Sequence, residues 1–190
     1  MMPLTTESRM HLLKRVVHAS INEKNLNPEL PHCFTRIATR AIVIKGEQIL
    51  LMFTQRYNDY SLPGGGVDEH ESLIEGVKRE LEEETGAQAI TNIQPFGLYE
   101  EYRPHQSTKH FPMCSIMHML SYCYTCDIAA ELGEKKLEDY EIKNGMSVGW
   151  VSIDDAIAHN KNTMKNDAKQ GLSIERETYL LETIKATLMA

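Results

Sequence analysis

The sequence lacks the long hydrophobic runs and the excess of positive charge that several large classes of protein require. No apolar run in its 190 residues reaches the roughly 18 residues of a membrane-spanning helix, and charged side chains stand near the start of the chain, where a signal peptide would be apolar. The 20 Lys and Arg are outnumbered by 27 Asp and Glu, which leaves a formal net charge of -7. This balance opposes binding to nucleic acid and to anionic membranes, so we expect a cytoplasmic protein that contacts neither.

Cysteine is also scarce, with four residues, of which Cys123 and Cys126 form a C-x-x-C pair. Such a pair is typical of redox centres at helix starts, or of structural zinc sites that have a second pair nearby. The residues around this pair are instead typical of a β-strand, in which positions three apart point to opposite faces. We therefore predict buried, reduced thiols.

The spacing of apolar residues predicts a helical extension followed by one α/β domain. Residues 1–30 are expected to form the N-terminal helical extension, with a helix over 8–26 that packs on the core or contributes to a homodimer. Residues 31–190 are expected to form the domain. Its expected strands cover 37–44, 48–53, 90–103, 115–128 and 146–151, and its expected helices cover 72–85, a stretch after residue 152, and 173–188.

Carboxylates are concentrated on the helix predicted over residues 72–85. At about 100° per residue, Glu80, Glu83 and Glu84 fall on one face, beside the apolar stripe of the same helix. Like charges crowded near apolar surface cost free energy unless a cation neutralises them. All-oxygen ligands favour Mg²⁺, Mn²⁺ or Ca²⁺, and we expect Mg²⁺, with Mn²⁺ as the alternative. The competing interpretation, a solvated acidic face, is the one we keep for Glu82.

A glycine run, Gly64-Gly65-Gly66, comes shortly before this helix. Glycine permits close approach of the backbone to a ligand, and a helix start presents free N–H groups that suit phosphate oxygens. We therefore predict that Gly65 and Gly66 contact a substrate phosphate. Arg56, at the end of the second predicted strand, is a further candidate phosphate ligand, although a solvated side chain is nearly as good an interpretation.

The stretch from Gly65 to Ala87 resembles the Nudix box, G-x5-E-x7-R-E-U-x-E-E-x-G-U, in which U is apolar. Every constrained position matches: Gly65, Glu71, Arg79, Glu80, Leu81, Glu83, Glu84, Gly86 and Ala87. The motifs Leu62-Pro63-Gly64-Gly65 and Gly149-Trp150-Val151-Ser152 also look like family features. The resemblance implies an α-β-α sandwich with a mixed central sheet.

The same resemblance implies a Mg²⁺-dependent hydrolase. Such an enzyme cleaves the diphosphate linkage of a nucleotide-type small molecule, such as ADP-ribose, a nucleotide sugar or a nucleoside triphosphate. Glu80, Glu83 and Glu84 would be catalytic and would hold the metal together with a backbone carbonyl, that of Gly64. Glu71 and Arg79 would form an ion pair that braces the loop against the helix without binding metal. The alternative is a Nudix module that binds a nucleotide without turnover.

Members of this family often take a general base from outside the box. Glu141 is our candidate for a catalytic base, and Glu138, Glu100 and Glu101 are alternatives. Four tyrosines either stack on a nucleobase or serve packing: Tyr57, Tyr60, Tyr99 and Tyr102. His105 and His110 lie in a polar segment over 104–112 that is a candidate mobile loop.

Overall fold

A computed structural model describes the protein over residues 10–22, 26, 33–105, 115–166 and 171–189. Its strands are β1 Leu12–Val17, β2 Cys33–Ile42, β3 Ile44–Lys45, β4 Gln48–Thr54, β5 Asp59–Ser61, β6 Thr91–Pro104, β7 Ile116–Asp127 and β8 Met146–Ser152. Its helices are α1 Leu73–Thr85, α2 Asp139–Lys143, α3 Ile153–Asn166 and α4 Ile174–Leu188.

The strands form two sheets. The first has the order β1-β6-β7-β2 and is mixed, because β6 and β7 are antiparallel while β1 and β2 run parallel to β6 and β7 respectively. In the second sheet β4 is central and pairs antiparallel with β3, β5 and β8. The backbone N–H of Leu50 donates to the carbonyl of Val43, the residue before β3, at 3.0 Å and so extends the pairing of β3 with β4.

Helices cover the sheets on two sides. One buried cluster joins the apolar faces of α3 and α4 to the strands, and it includes Ile49, Leu51, Ile157 and Leu181. A second cluster joins α1 to the opposite face and includes Leu50 and Leu81. Successive residues of β4 thus point into different clusters, as the period of two in a strand requires. The predicted α-β-α sandwich with a mixed central sheet is confirmed.

The helix predicted over residues 8–26 is wrong in the part that the structure describes. Leu12–Val17 form β1, which runs parallel to β6 and pairs Leu12 with Leu98 and Val17 with Tyr102. Leu13 and Val16 pack against the cluster beneath α4. Pairing along β6 satisfies the backbone and outweighs the apolar spacing of three and four that predicted a helix. Residues 1–9, 23–25 and 27–30 of the predicted extension lie outside the described residues, and its boundary at residue 30 stays a prediction.

The predicted strand around the C-x-x-C pair is confirmed. Cys123 lies in the cluster beneath α4 and Cys126 in the cluster beneath α1, so the two thiols point to opposite faces of β7. Both are free thiols, and burial raises the pKa of each to about 12. They are therefore poor nucleophiles and poor metal ligands.

None of the described helices is both long enough and apolar enough to cross a membrane.

The docking of β1 on the sheet is testable through Gly97, the position on β6 that faces Leu13. A Cβ atom at Gly97 would lie 2.4 Å from Leu13 Cγ, whereas a Cβ atom at Gly149 of β8 would meet nothing within 4 Å. We expect Gly97→Ala to lower the free energy of unfolding by about 1–3 kcal/mol, because the added Cβ atom must displace Leu13. Urea unfolding measures this difference.

Gly149→Ala is the matched control and should change stability little. The Leu13→Ala background should relieve most of the penalty at Gly97, since the clash is with that side chain. Equal penalties in both backgrounds would contradict the placement of β1.

Candidate functional site

The acidic helix α1 is defined at both ends by its own residues. Ser72 and Glu75 form a reciprocal capping box at the N-terminus, and Gly86 ends the helix in the left-handed conformation with φ 74°. Leu73, Val77 and Leu81 anchor one side in the core. This anchoring fixes the rotation of α1, and with it the direction of the glutamates on the neighbouring face.

The glycine loop lies along β2 and is held there by backbone hydrogen bonds. Thr39 N–H donates to the carbonyl of Gly65 at 3.0 Å, and Ala41 N–H donates to that of Pro63 at 2.8 Å. Gly64 has φ 139°, and a Cβ atom there would lie 2.1 Å from the carbonyl oxygen of Thr39. Only glycine fits this position, because both the backbone conformation and the close approach exclude a side chain.

Two glutamates of α1 meet the glycine loop. The Gly64 N–H donates to Glu84 Oε2 at 2.6 Å. A Cβ atom at Gly65 would lie 2.5 Å from Glu80 Oε1, so the absence of a side chain there makes room for this carboxylate. Loop and helix thus form one continuous surface of backbone and carboxylate groups.

Arg79 joins the loop to the helix from the other side. Its Nε and Nη2 donate to the two carboxylate oxygens of Glu71 at 2.9 and 3.0 Å, a forked pair, and Nη2 also donates to the carbonyl of Gly66 at 2.9 Å. Its Nη1 donates to Glu80 Oε1 at 2.9 Å and to Glu83 Oε2 at 3.2 Å. The geometry is that of the brace between Glu71 and Arg79 that the resemblance implied.

Burial makes the charged form of two of these carboxylates costly. Glu84 is 5% exposed, and desolvation raises its pKa well above the usual value, with smaller contributions from the charges of Glu141 and Glu80. Desolvation also raises the pKa of Glu80, although its hydrogen bond and charge interaction with Arg79 oppose the shift. Crowded, desolvated carboxylates of this kind are stabilised by a nearby cation.

Glu141, the expected general base, lies on α2 and is buried. Its Oε2 accepts from the Glu138 N–H at 2.7 Å and its Oε1 accepts from the Tyr140 hydroxyl at 3.2 Å. Its charge contributes to the raised pKa of Glu84, so the fold brings α2 close to the acidic end of α1. Of the alternatives, Glu138 lies beside Glu141 at the start of α2, whereas Glu100 contacts His118 and Glu101 contacts Arg176.

The ligand types present suit a hard divalent cation, although the side chains in their present orientations do not surround a metal position. All the donors are carboxylate oxygens next to a side-chain-free loop, which is the set that Mg²⁺ and Mn²⁺ prefer. Over the part of the chain that the structure describes, no three His, Cys, Asp or Glu side chains converge on a common point. Glu80 and Glu83 are turned toward Arg79, and Glu84 toward Gly64.

The other predicted substrate residues lie in different places. Arg56 is exposed and donates to Asn144 Oδ1 at 3.1 Å, at the C-terminal end of α2. Tyr99 and Tyr102 are buried, and Tyr60 packs on Phe53. These three tyrosines therefore serve packing. His110 lies outside the described residues.

Sequence reasoning missed a cavity of about 390 Å³ next to the glycine loop. Its lining includes four arginines from two strands and one helix: Arg36 and Arg40 of β2, Arg103 of β6 and Arg176 of α4. Gly65, Tyr57, Met119 and the residues just before α4 complete most of the wall. Arg36 and Arg40 are four apart in a strand and so share a face, which was a signal available in the sequence.

Two glutamates lie among these arginines. Glu101 Oε1 accepts from Arg176 Nη1 at 2.8 Å and lies 3.5 Å from Arg103 Nη1. Glu177 Oε1 accepts from Arg176 Nε at 3.0 Å and Nη2 at 2.9 Å, and it lies 3.6 Å from Arg40 Nε. Three of the four guanidinium groups thus share two carboxylates.

A second groove of about 620 Å³ shares Arg36 and Arg103 with this cavity and passes along Gly66. Phe34 and His105 also line it, with their rings in edge contact at 4.6 Å between centroids. The region beside the glycine loop therefore combines a guanidinium-rich cavity with a partly aromatic groove.

These features define a class, a mixed α/β sandwich whose glycine loop and acidic helix adjoin one another. The sequence also matches the family model described as NUDIX domain over residues 34–172. Since this match covers well over half of the chain, the protein belongs to the NUDIX domain family, and the resemblance drawn from the box is confirmed.

Individual relatives are distant. The chain is 24% identical over 110 residues to Nudix hydrolase 13, mitochondrial, of Arabidopsis thaliana, and that match covers 58% of this chain and 52% of the relative. The chain thus spans about half the length of that curated relative. A NUDIX hydrolase from Nitrosomonas europaea has a TM-score of 0.50 at 17% identity, covering 74% of this chain and 95% of that one. A MutT NUDIX hydrolase from Burkholderia pseudomallei has a TM-score of 0.45 at 22% identity, covering 64% of this chain and 85% of that one.

Replacing Arg79 should show how much the brace contributes to stability. Arg79→Lys keeps the charge but loses the forked geometry, which leaves the carboxylate of Glu71 with fewer hydrogen bonds. We expect a loss of about 2 kcal/mol in the free energy of unfolding, the scale of hydrogen bonds to charged groups. Lys78→Gln, at the exposed neighbouring position, should change stability by less than about 0.5 kcal/mol in the same urea titration. Similar values for the two variants would contradict the brace.

Asp59 predicts a dependence of stability on pH. It is buried near Glu177, and desolvation with the charge of Glu177 raises its pKa from 3.8 to about 6. The folded state therefore holds this proton more tightly, and stability falls as the pH rises from 3.8 to about 6. Asp59→Asn should remove this contribution to the decrease in the free energy of unfolding, which urea unfolding at pH 4 and pH 7 measures. The control Asp155→Asn, at an exposed position, should show the same decrease as the wild type. If the free energy of unfolding of Asp59→Asn depended on pH as it does in the wild type, the assignment to Asp59 would be contradicted.

Proposed function

We propose that the protein is a Mg²⁺-dependent hydrolase that cleaves the diphosphate linkage of a nucleoside diphosphate derivative. The observation that carries the proposal is the buried carboxylate of Glu84, hydrogen-bonded to Gly64 N–H at 2.6 Å and crowded by Glu80 and Glu141. A folded protein retains such a costly arrangement where a bound cation offsets it. Membership of the NUDIX domain family supports the same assignment.

Glu80, Glu83 and Glu84 would hold the cation, with the Gly64 carbonyl as a further ligand. A divalent cation at this position neutralises a diphosphate and lowers the pKa of a water molecule for attack on phosphorus. Binding would require Glu80 and Glu83 to turn from Arg79, to which their hydrogen bonds are 2.9 and 3.2 Å long. Arg79 would remain fixed by its fork to Glu71 and would keep the loop in place.

The chain's own groups suit the remaining tasks. Gly65 and Gly66 expose backbone beside the acidic face and let phosphate oxygens approach without steric conflict. Glu141 would accept a proton near Glu84, and its neighbour Tyr140 has a pKa raised by desolvation and by the surrounding glutamates, so its hydroxyl remains a donor. Water reaching phosphorus would be oriented by these two groups and by the carboxylates of α1.

The proposal is tested by incubating the protein with MgCl₂ and a panel of nucleoside diphosphate derivatives and nucleoside triphosphates. Chromatography then identifies the products. We expect one class to be cleaved, and Glu83→Gln and Glu84→Gln each to lower kcat by at least about 100-fold, the scale of losing one preorganised electrostatic contact. Glu82→Gln is the matched control, since that side chain is exposed on the same helix and should keep activity within about twofold.

Thermal unfolding gives a readout that does not depend on turnover. Mg²⁺ should raise the Tm of the wild type and of Glu82→Gln, because it binds preferentially to the folded state. It should leave the Tm of Glu84→Gln unchanged. A rise in Tm without cleavage of any compound would favour a nucleotide-binding module over an enzyme. Full activity of Glu83→Gln and Glu84→Gln would refute the metal assignment.

A further inference from the structure

The arginine cavity lies directly beside the proposed phosphate site. Gly65 is the shared wall: one side of it abuts the Glu80 carboxylate, and the other lines the cavity with Arg36, Arg40, Arg103 and Arg176. A diphosphate bound along Gly64–Gly66 would therefore have one end at the mouth of this cavity.

The strand register explains why the guanidinium groups converge. Arg36 pairs with Met119 of β7, and Met119 pairs with Glu101 of β6, so the three side chains form one row across the sheet. Arg103 and Arg40 lie two and four positions along their strands from members of this row, and so point to the same face. Arg176 enters from α4, which covers that face.

The cavity has an excess of positive charge that the protein does not neutralise. Glu101 and Glu177 are shared among Arg40, Arg103 and Arg176, as the contacts above show. Arg36 is exposed and makes no ion pair with any residue in the described ranges. The excess is local, since the whole chain carries a formal net charge of -7.

Two further observations indicate an anionic ligand. Arg40 is 9% exposed, and its buried Nε has no hydrogen-bond partner among the described residues, with Glu177 Oε1 beyond hydrogen-bond distance at 3.6 Å. Desolvation and the charges of the other three arginines lower the pKa of Arg103, against the opposing charge of Glu101. Guanidinium groups bind phosphate oxygens in forked pairs. A phosphate in this cavity would give Arg40 Nε a hydrogen-bond acceptor and would offset the desolvation and the repulsion that lower the pKa of Arg103.

We infer that this cavity binds an additional phosphate group of the substrate, beyond the diphosphate held by α1 and the glycine loop. Since this inference rests on the proposed hydrolase function, it narrows the substrate class. The favoured substrates are those with three or more consecutive phosphates, and the disfavoured ones are those, such as ADP-ribose or a nucleotide sugar, in which a neutral sugar follows the second phosphate. A lining with four arginines suits an anion better than a sugar or a base.

Arg36→Gln tests the inference, because the side chain is exposed and its loss breaks no ion pair described above. The control is Lys45→Gln, which removes an exposed positive charge from β3 in the other sheet. We expect Arg36→Gln to lower the ratio of kcat/KM for ATP to kcat/KM for ADP-ribose by about tenfold, mainly through the KM for ATP. Lys45→Gln should leave the ratio as in the wild type.

A binding measurement separates the inference from catalysis. Isothermal titration of inorganic triphosphate in the presence of EDTA should show weaker binding to Arg36→Gln than to Lys45→Gln, by about tenfold. An unchanged substrate ratio together with equal binding of triphosphate would overturn the inference while leaving the hydrolase proposal intact. A wild type that cleaves neither ATP nor ADP-ribose nor any other compound of the panel would instead overturn the hydrolase proposal, and the substrate assignment with it.

Discussion

The site depends on the guanidinium of Arg79, which ties the glycine loop to the acidic helix. Its fork to Glu71 and its bond to the Gly66 carbonyl fix the loop, while its contacts with Glu80 and Glu83 neutralise part of the helix. A planar group with five donors can satisfy all these acceptors at once, and an ammonium group cannot. Together with the hydrogen bond from Gly64 N–H to Glu84, these contacts hold the loop closely against the helix.

Charge is separated across the glycine loop. On one side, carboxylates of α1 and α2 are crowded and desolvated, so that this side attracts a cation. On the other side, four arginines line a cavity, and only three of them share the two glutamates beside it. A ligand that combines a divalent cation with several phosphates matches this distribution, since its positive and negative parts meet opposite charges. Net charge alone hides the pattern, because the excess of acidic residues over the whole chain conceals a basic cavity.

Local pattern predicted much of the framework, and its failures have particular causes. The helix α1, its caps and most strands follow from periodicity and from glycine positions, because neighbouring residues set these features. The N-terminal segment failed as a helix, since Leu12–Val17 gain backbone partners only when β6 is beside them. Cys123 and Cys126 were placed correctly on opposite faces, because alternation along a strand is independent of what covers it.

The sequence by itself determined the acidic face of α1, because helical spacing places Glu80, Glu83 and Glu84 together. It also carried the family resemblance, within 23 consecutive residues, and that resemblance implied the pairing of Glu71 with Arg79. Only the tertiary structure decided which distant residues join the site. The charge of Glu141 acts on Glu84 from α2, which lies against β8, and Arg176 lines the same cavity as Arg36 because α4 covers the sheet. Such meetings depend on how helices dock on strands, and docking is set by the shape and burial of whole surfaces rather than by spacing along the chain.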